Sequence, residues 1–200
     1  MTTAVNLLHV TSEGSASFQF TGMTDADLVA SVLGGNLDAF AVLVDRYHDD
    51  CRRLARHLLG HEHDAEDATQ ETFLRAYAGL ARYDERNAFR SWLYRILVNQ
   101  CRTLGRQRRR RDRRFVQDPE ALGLAAGPPG DADGELRQAL AAALAGLAPR
   151  LREAFLLKHG EGLDYAEMSR ITGVGISALK MRVKRAADEV RPKLERLLRG

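Results

Sequence analysis

Residues Asp164–Val190 read DYAEMSRITGVGISALKMRVKRAADEV, and this stretch decides the fold. Asp164 and Glu167 have the spacing of a capping box, the residue pair that closes the first turn of a helix. Gly173 is predicted to end this helix, and a second helix follows Gly175. Two helices joined by a short turn with glycine are the pattern of a helix-turn-helix, whose second helix enters the major groove of DNA.

The second helix of this pair is predicted to have two chemically different faces. Its buried side carries Val174, Leu179, Val183, Ala186 and Val190. Its outer side carries Ser177, Lys180, Met181, Lys184 and Arg185. Apolar residues anchor such a helix to its own domain, while long cations and small polar groups reach base edges and phosphates. The alternative is a solvated helix with ordinary surface lysines. The capped helix before it and the tight glycine turn favour a helix that binds in a DNA groove.

The whole chain of 200 residues is predicted to be all-α, with two small helical domains joined by a flexible linker. Leu, Ala and Arg dominate and β-branched runs are scarce, which favours helix over strand. Helical patterns fill residues 23–114 and 135–200, and the helix-turn-helix belongs to the second domain. Between them GPPG at 127–130 excludes a helix, so 115–134 is predicted to be the linker. Residues 1–22 show no periodic spacing of apolar residues and are predicted to be a flexible arm.

Four helices are predicted in the first domain. Thr24 is the N-cap of the first, and the second runs from about 36 to 59 with apolar residues at steps of three and four. The third restarts with Asp64 as its cap. The fourth runs from about Phe89 into the basic segment 106–114, RQRRRRDRR.

The fourth helix combines aromatic side chains with arginines. Trp92 and Tyr94 lie on it, Tyr83 and Phe89 come at or before its start, and the arginines of 106–114 follow. Rings stack on unpaired bases and guanidinium groups hold phosphates, so this combination suits single-stranded nucleic acid. The alternative, that Trp92 and Phe89 are core residues, stays open.

The third helix is acidic at its start. Asp64, Glu66 and Asp67 are favourable near a helix N-terminus because the helix dipole is positive there. Gln70 and Phe73 continue a mixed polar and apolar stripe that suits docking against a partner helix.

Composition narrows the classes of protein to which this chain can belong. Cys51 and Cys101 are the only cysteines and lie far apart, so they are expected to be buried small hydrophobes, neither a disulfide scaffold nor a zinc site. The N-terminal stretch lacks the basic and apolar regions of a signal peptide, and no apolar stretch is long enough to span a bilayer. We therefore expect a cytoplasmic protein without membrane insertion.

In combination, these segments resemble bacterial alternative sigma factors of the extracytoplasmic-function (ECF) type. DAEDATQETFLRAY at 64–77 is similar to the segment with which that family grips RNA polymerase. FRSWLYRILVNQ at 89–100 is similar to its promoter-melting, −10-reading helix. The stretch at 162–186 is similar to its −35-reading helix-turn-helix. The matches follow the family's order and cover about 24–198.

The resemblance implies three sets of binding residues. Core RNA polymerase would be contacted by Asp64, Asp67, Gln70, Glu71 and Phe73. The −10 element would be contacted by Tyr83, Trp92, Asn99, Thr103 and Arg106. The −35 element would be contacted by Ser177, Lys180, Met181, Arg182, Lys184 and Arg185. Thr103 stands where the family often has Asp or Asn, and Met181 where Ser is common, so the preferred promoter sequences do not carry over.

The resemblance also implies a function. The protein would bind core RNA polymerase, recognise −35 and −10 promoter elements and promote transcription initiation, without enzymatic activity or a cofactor. The linker would let two modules bind sites separated by a DNA spacer. Because family members are commonly held by an anti-sigma factor that clamps both domains, such a partner is expected.

Two other classes of protein are compatible with parts of this sequence. A metal-dependent enzyme could use His61, His63, Asp64 and Glu66, because His-x-His can ligate a metal. These residues sit at a glycine-marked helix junction where polar residues are expected anyway, so no catalytic or metal site is predicted. A one-component regulator would use only the helix-turn-helix, which leaves the −10-like segment unexplained and requires duplex binding without polymerase.

Overall fold

The computed structural model describes residues 20, 22–84, 89–114 and 132–197. Within these residues it has eight α-helices and no strand, which confirms the predicted all-α class. The helices are α1 (Asp25–Leu33), α2 (Leu37–Leu59), α3 (Glu62–Gly79), α4 (Phe89–Arg114), α5 (Ala132–Ala145), α6 (Pro149–Phe155), α7 (Tyr165–Thr172) and α8 (Ile176–Leu197). A 3-10 turn, Leu80–Arg82, follows α3, and a π-helical turn, Leu156–Gly160, follows α6.

Most helix ends follow the signals in the sequence. Asp164 and Glu167 form the capping box predicted for α7, and Thr24 forms another with the third residue of α1. Gly60 and Gly173 end α2 and α7 with φ of 77° and 70°. Residues with a Cβ atom rarely adopt this left-handed conformation, so glycine is needed at both ends.

The prediction that Asp64 caps α3 is wrong. The helix begins at Glu62, and the capping position belongs to His61, whose side chain makes no capping hydrogen bond. Glu62 accepts a hydrogen bond from Arg52 at 2.7 Å, and Asp64 accepts one from Arg108 at 3.1 Å. These ion pairs, together with the helix dipole, stabilise the acidic residues inside the first turn.

Two domain boundaries also differ from the prediction. Phe20, assigned to the flexible arm, is buried, and its carbonyl accepts a hydrogen bond from the Met23 N–H at 3.2 Å. The rest of the arm, 1–19 and 21, lies outside the described residues. Helix α5 begins at Ala132, inside the predicted linker, because the helix-breaking prolines end at Pro129. Residues 115–131 lie outside the described part of the chain.

The helices form two units that are in direct contact. The N-terminal unit comprises α1–α4, with α2, α3 and α4 packed on one another, and the C-terminal unit comprises α5–α8, with α5, α6 and α7 packed on α8. The units meet where α7 packs on α4 and where α6 and the π-helical turn reach α2. One continuous apolar cluster runs through both units.

Both cysteines are buried, as predicted. Cys51 is fully buried in α2 and Cys101 nearly so in α4. Burial raises the pKa of the Cys101 thiol to about 12 and raises the pKa of Cys51 as well. Both sulfur atoms therefore stay protonated and act as small apolar side chains. No helix in the described part of the chain is long and apolar enough to cross a membrane.

Candidate nucleic-acid and partner interfaces

The two faces of α8 are divided as the sequence predicts. Leu179, Val183, Ala186 and Val190 are buried, and Val174, in the turn before α8, is half-buried. Ser177, Lys180, Met181, Lys184 and Arg185 are exposed. The outer face therefore combines cations with a hydroxyl and a thioether, on a helix that is anchored along its opposite side. This is the arrangement that a groove-reading helix needs.

The turn before α8 is held by local hydrogen bonds. The Thr172 hydroxyl donates to the Met168 carbonyl at 2.7 Å and accepts from the Val174 N–H at 3.2 Å. Gly173, with its positive φ, reverses the chain between them. These bonds fix the start of α8 relative to α7.

Tyr165 is a residue of this surface that the sequence analysis missed. The Lys180 ammonium lies 5.7 Å from the centre of its ring, and the Lys158 ammonium lies 5.1 Å from it. A cation above an aromatic face is attracted by about 0.5–1 kcal/mol at an exposed site. Tyr165 therefore helps to orient Lys180. The sequence feature that could have indicated this role is the position of Tyr165 in the first turn of α7.

Arg182 does not share the outer face of α8. It is half-buried and lines a cavity of about 810 Å³ between the two units. In this arrangement, the other five predicted −35 residues are exposed to solvent while Arg182 faces the N-terminal unit.

An aromatic cluster lies at the start of α4. The ring centres of Tyr83 and Trp92 are 5.0 Å apart, and that of Phe89 lies 5.7 Å from Trp92. Phe89 is fully buried, whereas Tyr83 and Trp92 are half-buried. Phe89 is therefore a core residue, and the two other rings retain exposed surface on which a base could stack.

Trp92, Asn99, Thr103 and Arg106 form one row along α4, which we call the α4 stripe. They are separated by 7, 4 and 3 residues, which are near-whole numbers of helical turns. Thr103 donates a hydrogen bond to the Asn99 carbonyl at 2.9 Å and accepts one from Arg106 at 3.3 Å. Asn99 and Arg106 are exposed. The structure thus brings four of the five predicted −10 residues onto one helix face.

Arg102, which the sequence analysis did not select, lies beside this stripe. Its guanidinium is 3.4 Å from the Asn99 amide oxygen. It also forms two hydrogen bonds of 2.8 Å with the carboxylate of Glu153, and it donates to the Thr172 carbonyl at 3.2 Å. The α4 stripe therefore lies at the junction between the two units.

The predicted polymerase-binding residues of α3 divide into three groups. Asp67 and Gln70 are exposed. Asp64 and Glu71 are half-buried and are paired with Arg108 and Arg75, respectively. Phe73 is 2% exposed, so the expectation that its ring contacts a partner is wrong. Its place is in the core, because it lies on the α3 face that packs against α2.

The histidines at the start of α3 are arranged differently from a metal site. The Nδ1 atom of His63 lies 3.5 Å from a carboxylate oxygen of Asp67, and Asp64 forms an ion pair with Arg108. In the parts of the chain that the structure describes, no group of three or more His, Cys, Asp or Glu side chains could hold a metal ion.

The C-terminal unit has a helix-turn-helix with a cationic outer face. The N-terminal unit has the α4 stripe, which joins an exposed Trp edge to polar and basic groups. Together these two surfaces define a two-module DNA-binding protein. Comparison with protein-family models assigns both modules. Residues 43–111 match Sigma-70 region 2, and residues 137–189 match Sigma-70 region 4. The chain is 31% identical to the ECF RNA polymerase sigma factor SigW of Bacillus subtilis (strain 168), over 84% of this chain and 96% of SigW. The chain belongs to the ECF family of RNA polymerase sigma factors.

Solved structures that are similar to this one include two proteins in complexes. CnrH in complex with the cytosolic domain of CnrY has a TM-score of 0.62 and 30% identity, over 87% of this chain and 96% of CnrH. The sigma factor RpoE in complex with the anti-sigma factor NepR from Bartonella quintana has a TM-score of 0.66 and 26% identity, over 78% of this chain and 96% of RpoE. The protein is therefore an alternative sigma factor that directs RNA polymerase to promoters.

Proposed function

We propose that this sigma factor divides promoter recognition between two surfaces. The outer face of α8 reads the −35 element as duplex, and the α4 stripe reads the −10 element and helps to open it. The observation that carries this proposal is the division of α8, whose reading residues are exposed while Leu179 and Ala186 are fully buried. Lys180 and Arg185 reach base edges or adjacent phosphates from that face.

The proposal for the −10 element rests on the α4 stripe. Trp92 and Tyr83 offer ring surface for stacking on unpaired bases, and Asn99 offers an amide that can pair with a base edge. Arg106 continues the stripe with a guanidinium for backbone phosphates. The stripe thus has the two components that single-stranded DNA binding requires, an aromatic platform and a cationic track.

The polymerase contact is proposed for the exposed side of α3. Asp67 and Gln70 carry it, because both are exposed on one helix that is anchored in the core by Phe73. Tyr77, which is 40% exposed, lies seven residues after Gln70 and adds apolar area to the same face.

An anti-sigma factor is the proposed regulatory partner. This proposal is supported by the structural relative RpoE, which was solved in complex with the anti-sigma factor NepR; in the present protein such a partner would cover surfaces on both units. The protein would act in the cytoplasm with RNA polymerase, and we propose no covalent chemistry for it.

Run-off transcription with purified core polymerase tests the proposed function. Wild-type protein should produce transcripts from a promoter fragment upstream of its own gene or from a genomic promoter pool. Lys180→Ala should reduce this transcription, and Arg196→Ala is the matched control. Arg196 is an exposed cation 16 residues further along α8, about 24 Å away at 1.5 Å per residue. Duplex binding without any polymerase-dependent transcript would instead favour a one-component regulator.

The polymerase contact has its own test. Asp67→Arg combined with Gln70→Ala should abolish co-purification with core polymerase and leave the helical circular dichroism spectrum unchanged. Asp188→Arg, an exposed charge reversal on α8, is the control and should still co-purify. Undiminished binding by the α3 variant would contradict the assignment of this face.

A further inference from the structure

The cavity of about 810 Å³ is bounded by α4 of the N-terminal unit and by α6 and α8 of the C-terminal unit. Seven of the residues that line it are arginines. Four of them lie at 102–109 of α4, two in the first four residues of α6, and the seventh is Arg182 of α8. Glu153 is the one carboxylate among the lining residues in the described part of the chain. The two α6 arginines, Arg150 and Arg152, belong to neither proposed DNA surface.

Most of the positive charge in this cavity is not neutralised by the protein. Arg102 pairs with Glu153, and Arg108 pairs with Asp64. The other five arginines of the lining form no ion pair with a carboxylate of the residues that the structure describes. A concave surface lined by charges of one sign concentrates the electrostatic potential and attracts ions of the opposite sign. The cavity is therefore suited to an anion with several charges.

Arg152 supplies charge to the cavity but few free donors. Its guanidinium donates to the Leu144 carbonyl at 2.9 Å and to the Leu58 carbonyl, in the other unit, at 3.2 Å. Burial and the nearby Arg109 lower its pKa, as expected where positive charges lie close together. Direct contacts with an anion therefore fall to the other arginines without an ion pair, which are Arg106, Arg109, Arg150 and Arg182.

Apolar side chains form another part of the cavity lining. Leu58 and Leu59 come from the end of α2, and Leu147 and Val174 come from the C-terminal unit. Small-molecule pockets commonly have volumes of about 300–1,000 Å³ and combine apolar walls with a few convergent polar groups. This cavity has both components, so it can hold an organic group as well as an anionic one.

We propose that this cavity binds a small anion that contains a chain of three or more linked phosphates. Arginine suits this ligand because its planar guanidinium forms paired hydrogen bonds with phosphate oxygens. Each further phosphate adds negative charge, so a chain neutralises four arginines better than a single phosphate does. Nucleoside triphosphates and inorganic polyphosphates share this chemistry. The apolar wall would add affinity for the nucleotide, because a base has apolar faces that can pack on it.

A ligand in this cavity would compete with promoter DNA. Arg106 belongs to the proposed −10 contacts and Arg182 to the proposed −35 contacts, and both line the cavity. Phosphates bound to these two side chains would withdraw them from DNA. This consequence rests on the proposed function, whereas the binding site itself rests on the cavity and its charges.

Isothermal titration calorimetry of the full chain tests the site directly. Sodium tripolyphosphate, ATP and orthophosphate are titrated without magnesium at about 0.15 M salt, where distant surface charges are screened. Tripolyphosphate and ATP should saturate one site, and orthophosphate should bind at least about tenfold more weakly, a difference of about 1.4 kcal/mol. Tighter binding of ATP would identify a nucleotide as the ligand, and equal or tighter binding of tripolyphosphate an inorganic chain. No saturable binding of either would overturn the proposal.

A pair of double variants locates the site. Arg109→Gln with Arg150→Gln removes one exposed cavity arginine from each unit and should weaken binding at least about tenfold. Arg95→Gln with Arg191→Gln is the matched control, because it removes the same charge from exposed positions of α4 and α8 outside the cavity lining. Arg95 lies 14 residues before Arg109, about 21 Å along α4. The control should bind like the wild type. An equal loss in both double variants would mean general attraction to a basic protein and would refute the site.

Competition with DNA tests the consequence. A saturating concentration of the tighter ligand should weaken binding of a single-stranded −10 oligonucleotide to the wild-type protein, measured by fluorescence anisotropy. The same concentration should have a smaller effect on Arg109→Gln with Arg150→Gln. Undiminished oligonucleotide binding by the wild-type protein would refute the competition. Failure of the wild-type protein to transcribe with core polymerase would refute the proposed function instead, and the calorimetric result would still decide the site.

Discussion

Helices α4 and α8 are both long, both carry basic groups and both are proposed to contact promoter DNA, but they are used differently. Helix α8 has two main faces: one is buried against its own unit, and the other exposes five of the six proposed reading residues, while Arg182 lines the cavity between the units. Helix α4 has three, because Leu93 and Leu97 face the core, the α4 stripe faces outward and Arg102 faces the C-terminal unit. The proposed reading surface of α8 is therefore exposed except at Arg182, whereas that of α4 borders the contact between the units.

The difference shows that the surroundings of a proposed reading surface depend on where its helix lies in the fold. A helix anchored to a single unit presents the same face in every arrangement of the domains. A helix at a domain junction presents a face that depends on that arrangement. Helix α4 thus combines a place in the core, a proposed DNA contact and a contact with the other unit, and single substitutions can separate these three roles.

The largest expected effect is on stability. Leu97→Ala, at a fully buried position of α4, should lower the free energy of unfolding by about 2–5 kcal/mol, because it removes buried methyl groups and leaves a cavity. Asn99→Ala, two residues further on and exposed, should change it by less than about 0.5 kcal/mol. Urea unfolding followed by circular dichroism measures both. Equal destabilisation would mean that the stripe is structural.

The next effect separates DNA opening from duplex recognition. Trp92→Ala should impair strand opening because stacking on an unpaired base is worth about 1–3 kcal/mol. Permanganate reactivity of exposed thymines measures opening. A template with a pre-melted −10 bubble should partly restore transcription by Trp92→Ala but not by Lys180→Ala. An identical response of both variants to the bubble would invalidate the division of labour between α4 and α8.

A smaller effect concerns the kind of contact that α8 makes. If Arg185 binds a phosphate, Arg185→Ala should weaken binding of the polymerase complex to all promoters alike and reduce the salt slope by about 1. If it binds a base edge, the loss of about 1–3 kcal/mol should depend on the −35 sequence. Binding titrations at several salt concentrations, on a wild-type and a scrambled −35 element, distinguish the two. No change on either template would remove Arg185 from the reading face.

The smallest effect is on pH dependence at the domain junction. Burial, together with Arg56 and Arg53, lowers the pKa of His57 below its usual value of 6.5. The folded state therefore favours neutral His57, and this contribution to stability is present above about pH 6.5 and is lost as the pH falls through the folded pKa. His57→Gln should reduce the loss of stability between pH 7 and pH 5 relative to wild type. Parallel pH profiles of both proteins would contradict this role.

The helices and their local faces could be predicted from the sequence alone. Capping residues, terminal glycines and the spacing of apolar residues act within a few turns of the chain, so the bounds of α7 and the two faces of α8 follow from local periodicity. The family resemblance rested on the same local segments. The predictions that Asp64 caps α3 and that Phe73 contacts a partner were wrong, because residues distant in sequence determine the environment of both side chains. Arg108 pairs with Asp64, and the packing of α2 on α3 buries Phe73.

The contact between the two units could be recognised only in the tertiary structure. Glu153 and Glu161 look like ordinary solvated charges in the sequence, yet their partners Arg102 and Arg90 lie 51 and 71 residues away. A carboxylate is buried only when the chain brings a suitable cation to it, and no local pattern records that event. The sequence by itself determined the helices and which of their segments are candidates for contacts with promoter and polymerase. The tertiary structure decided how the two units meet, because long-range pairing joins the buried carboxylates of Glu153 and Glu161 to arginines of the other unit.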